Sequence, residues 1–225
     1  MVPQTINPAF TAFMETINAV VVHRQRPDAK LKINSDYAFL NTWSEDINSG
    51  FGVNLLIQRE SFTGYSLSQV NASYTYRVQI SEYWYFHAAL EVGYGSKSYG
   101  FQNMVLEDQI SIGSGTIDPT SSAPLALNNK VGYFGVGAGF LFNNEDCWIG
   151  GSLRHLNKPN ISFTMAGNLP LDMFFSINGG FETEVSNSFF PFDSKLLITA
   201  NYMQQSKFNR LTWAQGIFLN VFSLA

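Results

Sequence analysis

The chain has a single cysteine, Cys147, among its 225 residues. No internal disulfide can form, and the lone thiol has no metal-ligand partner nearby. Charged residues make up only 13% of the sequence, against about 25% in soluble domains. The net charge is -4 with no basic run, which excludes nucleic-acid binding through a phosphate-neutralising patch. No stretch approaches the roughly 18 consecutive apolar residues of a membrane helix. The longest apolar-plus-glycine run, residues 131–142, is too short and is interrupted by glycines. A secretory signal is also lacking, since Met1-Val2-Pro3-Gln4-Thr5 has neither a basic segment nor an apolar core. Because an exported protein needs one, a mature, trimmed or incomplete chain is expected.

Aromatics, by contrast, reach 15%, with 20 Phe and 10 Tyr, while mean hydropathy is only -0.02. A chain that alternates lipid-facing and water-facing side chains produces this combination. Period-two alternation is the dominant pattern. Val70, Ala72, Tyr74, Tyr76 and Val78 oppose Gln69, Asn71, Ser73, Thr75 and Arg77. Trp84, Phe86, Ala88, Leu90, Val92 and Tyr94 oppose Tyr85, His87, Ala89, Glu91 and Gly93. Met173, Phe175, Ile177 and Phe181 oppose Asp172, Ser176, Asn178 and Glu182. Phe51, Val53, Leu55 and Ile57 oppose Gly52, Asn54, Gln58 and Glu60, with Leu56 breaking the polar face.

Ten strands are predicted, at 15–24, 30–39, 50–60, 65–78, 83–95, 130–142, 147–156, 171–184, 194–204 and 211–222. Most have ten residues or more, enough for the about 9–11 that cross a membrane and longer than the about 5–6 of globular strands. The fold expected is all-β: one antiparallel transmembrane β-barrel over 1–225. Connections 25–29, 61–64, 96–129 and 157–170 fall on one side. The tight 79–82 and 143–146 fall on the other, along with 41–49 and 186–193, which are long for turns. Outer-membrane barrels have short periplasmic turns and long outer loops, so a periplasmic N-terminus is expected. Trp43, Tyr83, Trp84, Tyr85, Trp148 and Trp213, near strand ends, suggest an interfacial girdle. Arg24, Lys32, Asp36, Glu60, Arg77, Glu91, Asp172, Glu182 and Lys195 are predicted to point into the lumen, as a wall of ion pairs and water.

Little of this looks catalytic. His23, His87 and His155 lie on separate strands with no carboxylate at ligand spacing, which favours single polar wall residues over a metal site. Gly150-Gly151-Ser152-Leu153-Arg154 departs from a nucleophile elbow at its fifth position, and no helix pattern follows. Ser152 and His155, three apart on one strand, face opposite sides. Gly135, Gly137 and Gly139 share one strand face, as a smooth wall or close-packing site. No enzyme activity, cofactor or metal is expected.

Several local motifs resemble the PorP/SprF family of outer-membrane proteins. Asn7-Pro8-Ala9-Phe10 is similar to its N-terminal Asn-Pro-Ala-aromatic signature, and Arg24-Gln25 to the pair that closes its first strand. Gly50-Phe51-Gly52 and Tyr74-Thr75-Tyr76 resemble its third and fourth strands. The most specific match runs over 150–160, similar to Gly-x-Ser-x-x-His-Leu-x-x-Pro-Asn. The resemblance implies a barrel of about fourteen strands, so either the last strands are absent from this chain or the count of ten is short. It also implies a non-enzymatic partner in type IX secretion and gliding motility. Such a protein helps export a large surface adhesin, or anchors it, through the adhesin's C-terminal domain. Its expected contacts are that domain, other secretion components and membrane lipid. Arg24, Gln25, His155 and Pro159 are then expected to position loops. The alternative is an outer-membrane channel or transporter for small or hydrophobic solutes.

The segment 96–129 links two strands that need only a short turn, and connections beyond about 12–15 residues are usually functional or disordered. It carries Phe101, Met104, Leu106, Ile110 and Ile112, too apolar for a solvated linker. These residues either pack into the barrel mouth or meet a partner, and they are the expected partner-binding residues.

Overall fold

The computed structural model describes residues 3–26, 32–100, 104–123, 129–164, 167–187 and 190–219. Ten long strands form one antiparallel sheet: β1 (Asn18–Arg26), β2 (Ile33–Ser44), β3 (Ser49–Glu60), β4 (Ser66–Gln79), β5 (Tyr85–Ser98), β8 (Lys130–Asn143), β9 (Cys147–Arg154), β10 (Phe174–Asn187), β11 (Phe190–Gln205) and β12 (Phe208–Leu219). The short β6 (Ile110–Ser111) and β7 (Thr116–Ile117) pair with each other in the long connection. Each long strand pairs with the long strands before and after it in the chain, the up-and-down meander of membrane barrels. No described helix is long and apolar enough to cross a membrane.

The strands alternate as the sequence predicts. Asn54, Asn71, Ser73, Thr75, His87, Glu91, Ser176 and Asn178 are buried on the inner face. Phe51, Val53, Leu55, Val70, Tyr74, Tyr76, Val78, Leu90, Val92, Ile177 and Phe181 are exposed on the outer face. This is a globular protein turned inside out. An apolar band of that extent is far larger than a soluble monomer presents, whereas in lipid it faces a matching solvent.

The first residues show how the sheet curves. Asn7 and Pro8 begin a 3-10 turn (Pro8–Ala12) buried against the inner face. The Asn7 side chain reaches Asn178 on β10, while the carbonyl of the next residue, Pro8, accepts from Thr75 on β4 at 3.1 Å. In a flat sheet β4 and β10 lie four strand spacings apart, about 19 Å at about 4.8 Å each. Two successive residues touch both strands only if the sheet curls around them. Among the described residues β1 and β12 do not pair, so the sheet stays open between them.

Two connections are tighter than the sequence suggested. β2 runs on to Ser44 and β3 begins at Ser49, leaving residues 45–48; Asn48, at φ 47°, adopts the left-handed conformation this turn needs. β10 and β11 leave only 188–189 between them. One end of the sheet therefore has uniformly short turns, and the other carries the long connections 99–129 and 155–173.

One inward assignment changes. Asp36 lies on the outer face, where its carboxylate meets His23 across the β1–β2 pair at 2.6 Å. His23 thus has a carboxylate partner, supplied by the neighbouring strand. The girdle is only partial. Tyr83, Trp84 and Trp213 are exposed, and Trp213 sits mid-strand. Trp43 and Tyr85 turn inward, where the Arg77 guanidinium stacks over both rings at 4.4 and 4.9 Å. Trp148 also turns inward, against Phe13. Cation–π attraction and the need to close the lumen floor hold these three rings inside. Arg24 and Gln25 do not close β1; both pair within it, opposite Ser35 and Asn34, and the strand continues to Arg26.

Candidate partner interface and lumen plug

Residues 4–12 fill the lumen between β2 and β10. Asn7 anchors them: its amide donates to the Phe140 carbonyl at 2.9 Å and to Asn178, while its oxygen caps the turn by accepting from the Ala9 amide at 3.0 Å. The Ile6 carbonyl accepts from Ser152 at 2.6 Å and Ser176 at 3.2 Å. Thr11 and Ser73 share a hydroxyl bond of 2.9 Å. Arg154 donates to the carbonyls of Thr5 and Gln4 at 2.7 and 3.0 Å while its Nε lies 2.9 Å from Glu91. Their side chains are only 14% and 5% exposed. A buried carboxylate costs several kcal/mol unless paired, so Glu91 makes Arg154 a fixed clamp for the segment's carbonyls. At the short-turn end, Glu15 pairs with Arg77 where the chain turns towards β1.

Glycines make room for the plug. A Cβ at Gly50 would lie 2.8 Å from the Cα of Ala12. One at Gly139 would strike Asn7 and Pro8, so at this member the glycine stripe of β8 is a close-packing site. The Asn-Pro-Ala-Phe motif is therefore a plug that docks on the inner wall, a role its composition alone did not show. Among the described residues, the turn Pro8–Ala12 packs on the inner face against β2, β3, β4, β5 and β8.

The long-loop end is built differently. Three connections meet there through aromatic rings: Tyr65 packs tilted against Tyr99 with centroids 4.9 Å apart, and Tyr99 meets Phe163 edge-to-face at 5.4 Å. The Gly100 amide donates to the Thr63 carbonyl at 3.0 Å, and Tyr99 to Asn129 at 3.0 Å. Sequence reasoning missed this cluster; its signal was an aromatic residue beside a strand end at Tyr65 and Tyr99, while Phe163, in the middle of its connection, carried none.

The motif after β9 shapes one of these connections. His155 and Lys158 have φ of 57° and 41°. Asn157 imitates a strand, accepting from the Val136 amide at 3.2 Å and donating to the Phe134 carbonyl at 2.7 Å. The Pro159 carbonyl accepts from Leu171 at 2.8 Å. Asn160 gathers Ser162, Leu169 and Gly167. The His155 ring packs edge-on against Tyr133.

The longest connection carries the β6–β7 hairpin, held by polar bonds. The buried Gln109 accepts from the Leu106 amide and donates to the Asp118 carbonyl, both at 2.8 Å. Asp108 accepts from Ser121, Ser122 and Ala123, and the Ser121 hydroxyl first among them draws its carboxyl below the usual aspartate range. Side chains of this kind fix the loop without an apolar core, so its isoleucines remain outside. Ile110 is 52%, Ile117 61% and Ile112 93% exposed. Met104 and Leu106 are half-buried, and Phe101 lies outside the described residues. Arg24 and Gln25, on β1, are not brought near His155 and Pro159 by any described contact.

No curated protein matches this sequence. Residues 1–223 match the family described as Type IX secretion system membrane protein PorP/SprF. With nearly the whole chain covered, and an inside-out antiparallel sheet of membrane-crossing strands, the protein belongs to the PorP/SprF family of type IX secretion membrane proteins.

Proposed function

We propose that this protein is a non-enzymatic outer-membrane component of type IX secretion that docks the C-terminal domain of a large secreted surface adhesin on its long-loop end. In this reading the short-turn end faces the periplasm. The observation that carries it is the β6–β7 hairpin: a polar-stapled loop presents Ile110, Ile112 and Ile117 to solvent. Scattered exposed apolar side chains need no explanation, but several on one ordered loop favour a contact. The docked segment 4–12 supports the same reading, since it covers part of the inner wall and leaves the loops as the freely presented surface at that end. A solute channel would require that segment to leave.

Deleting residues 105–123 tests the proposal. The sheet does not depend on this loop, so the variant is expected to reach the outer membrane while its adhesin is no longer retained at the cell surface. Normal export and retention by a correctly assembled variant would contradict the proposal.

A further inference from the structure

At the long-loop end, β1 and its neighbours build a second polar feature, on the inner face. Arg24 and Arg26 lie two residues apart, so both guanidiniums project to the same side. The register sets Arg24 opposite Ser35 and Ser35 opposite Gln58, with Arg26 opposite Ile33. These five residues line a cavity of about 170 Å³. That is below the about 300–1,000 Å³ of small-molecule pockets and suits a single side chain or chain end.

Among the described residues, neither arginine makes an ion pair or hydrogen bond. The carboxylates near them in the register are engaged elsewhere. Glu60 folds back onto its own turn, accepting from the Thr63 amide at 2.9 Å and from the Phe62 amide. Asp36 faces the other side of the sheet, against His23. In a chain of net charge -4, two arginines on one strand face, with no ion pair among the described residues, form an anion site. Guanidinium forks match carboxylate oxygens in bidentate geometry, with the Ser35 hydroxyl and Gln58 amide as further donors. The site faces the lumen, away from lipid, which favours a peptide over a lipid headgroup.

We infer that Arg24 and Arg26, with Ser35 and Gln58, bind a carboxylate of the partner protein, an acidic side chain or a chain terminus, entering from the long-loop end. The inference rests on the reading of that end as the docking face and adds a charged anchor to the apolar hairpin.

The test uses the full chain, purified in detergent, with fluorescently labelled pentaglutamate as probe. Anisotropy is expected to show salt-sensitive binding that weakens about tenfold or more in R24Q/R26Q and is partly kept in R24K/R26K. R59Q removes an exposed cation on the outer face of β3 and is expected to leave binding unchanged. Equal binding by R24Q/R26Q and the intact protein would overturn the inference, as would an equal loss in R59Q. Displacement by inorganic phosphate as effective as by unlabelled pentaglutamate would overturn the peptide assignment. Peptide binding that persists after deletion of 105–123, alongside normal adhesin retention, would overturn the docking proposal and leave the arginine site standing.

Discussion

Asn7 holds the plug through three bonds at once: a cap on its own turn, a carbonyl on β8 and an amide on β10. Replacing it with alanine leaves those groups unsatisfied in a buried site. Asn7→Ala is expected to cost about 1–3 kcal/mol, read as a lower urea midpoint in detergent and as new protease cleavage within residues 4–12. Arg154 is a sharper case, because its removal strands Glu91. Arg154→Ala is expected to cost about 3–5 kcal/mol, and adding Glu91→Gln is expected to restore part of that loss. An Arg154→Ala protein as stable as the parent would show that the pair is not the clamp described. Gly50→Val tests the same plug from the wall side, since its Cβ meets Ala12 backbone at 2.8 Å; the expected result is a protease-sensitive N-terminal segment on an intact sheet.

At the scale of elements, the outer face sets the membrane contact. Leu90 lies midway along β5, exposed between the buried Ala89 and Glu91. Leu90→Arg is expected to destabilise the folded protein by about 2–4 kcal/mol in lipid vesicles, while Ala19→Arg, near the end of β1, is expected to cost far less. All ten long strands were legible in the sequence because membrane strands are long and one face must be apolar, so a period of two persists through β3, β4, β5 and β10. Their ends were less legible. β2 continues to Ser44 past where the alternation was read, because inward Asn41 and Trp43 serve the lumen rather than the pattern. The inward turn of Trp43 and Trp148 was hidden for a related reason: their partners, Arg77 and Phe13, come from other parts of the chain, whereas Tyr85 already stood on the polar face with His87 and Glu91. The plug was not legible at all. Asn-Pro-Ala-Phe reads locally as a turn before a strand, and only the curled sheet shows it docked between β4 and β10. The loop platform of Tyr65, Tyr99 and Phe163 was hidden likewise, since its three rings come from three connections.

For the whole molecule, a curled sheet with a docked N-terminal segment carries at one end an aromatic loop platform and an apolar-tipped hairpin loop. The order of the hairpin loop is expected to depend on pH through Asp108. Hydrogen bonds from Ser121, Ser122 and Ala123 hold its folded pKa below the usual value, so their stabilisation is present above the ordinary aspartate range. It is lost as pH falls through the depressed value. Loop proteolysis is expected to rise on acidification below the aspartate range, and Asp108→Asn is expected to be cleaved readily at neutral pH. The account's central claim is that the β6–β7 hairpin, through its isoleucines, meets a secreted partner. Photocrosslinking in living cells tests it most directly, with a crosslinking residue placed at Ile112 and, separately, at Leu90. The account predicts covalent capture of a large secreted protein through its C-terminal domain from Ile112, and no such product from Leu90. Capture from Leu90 with none from Ile112 would contradict it.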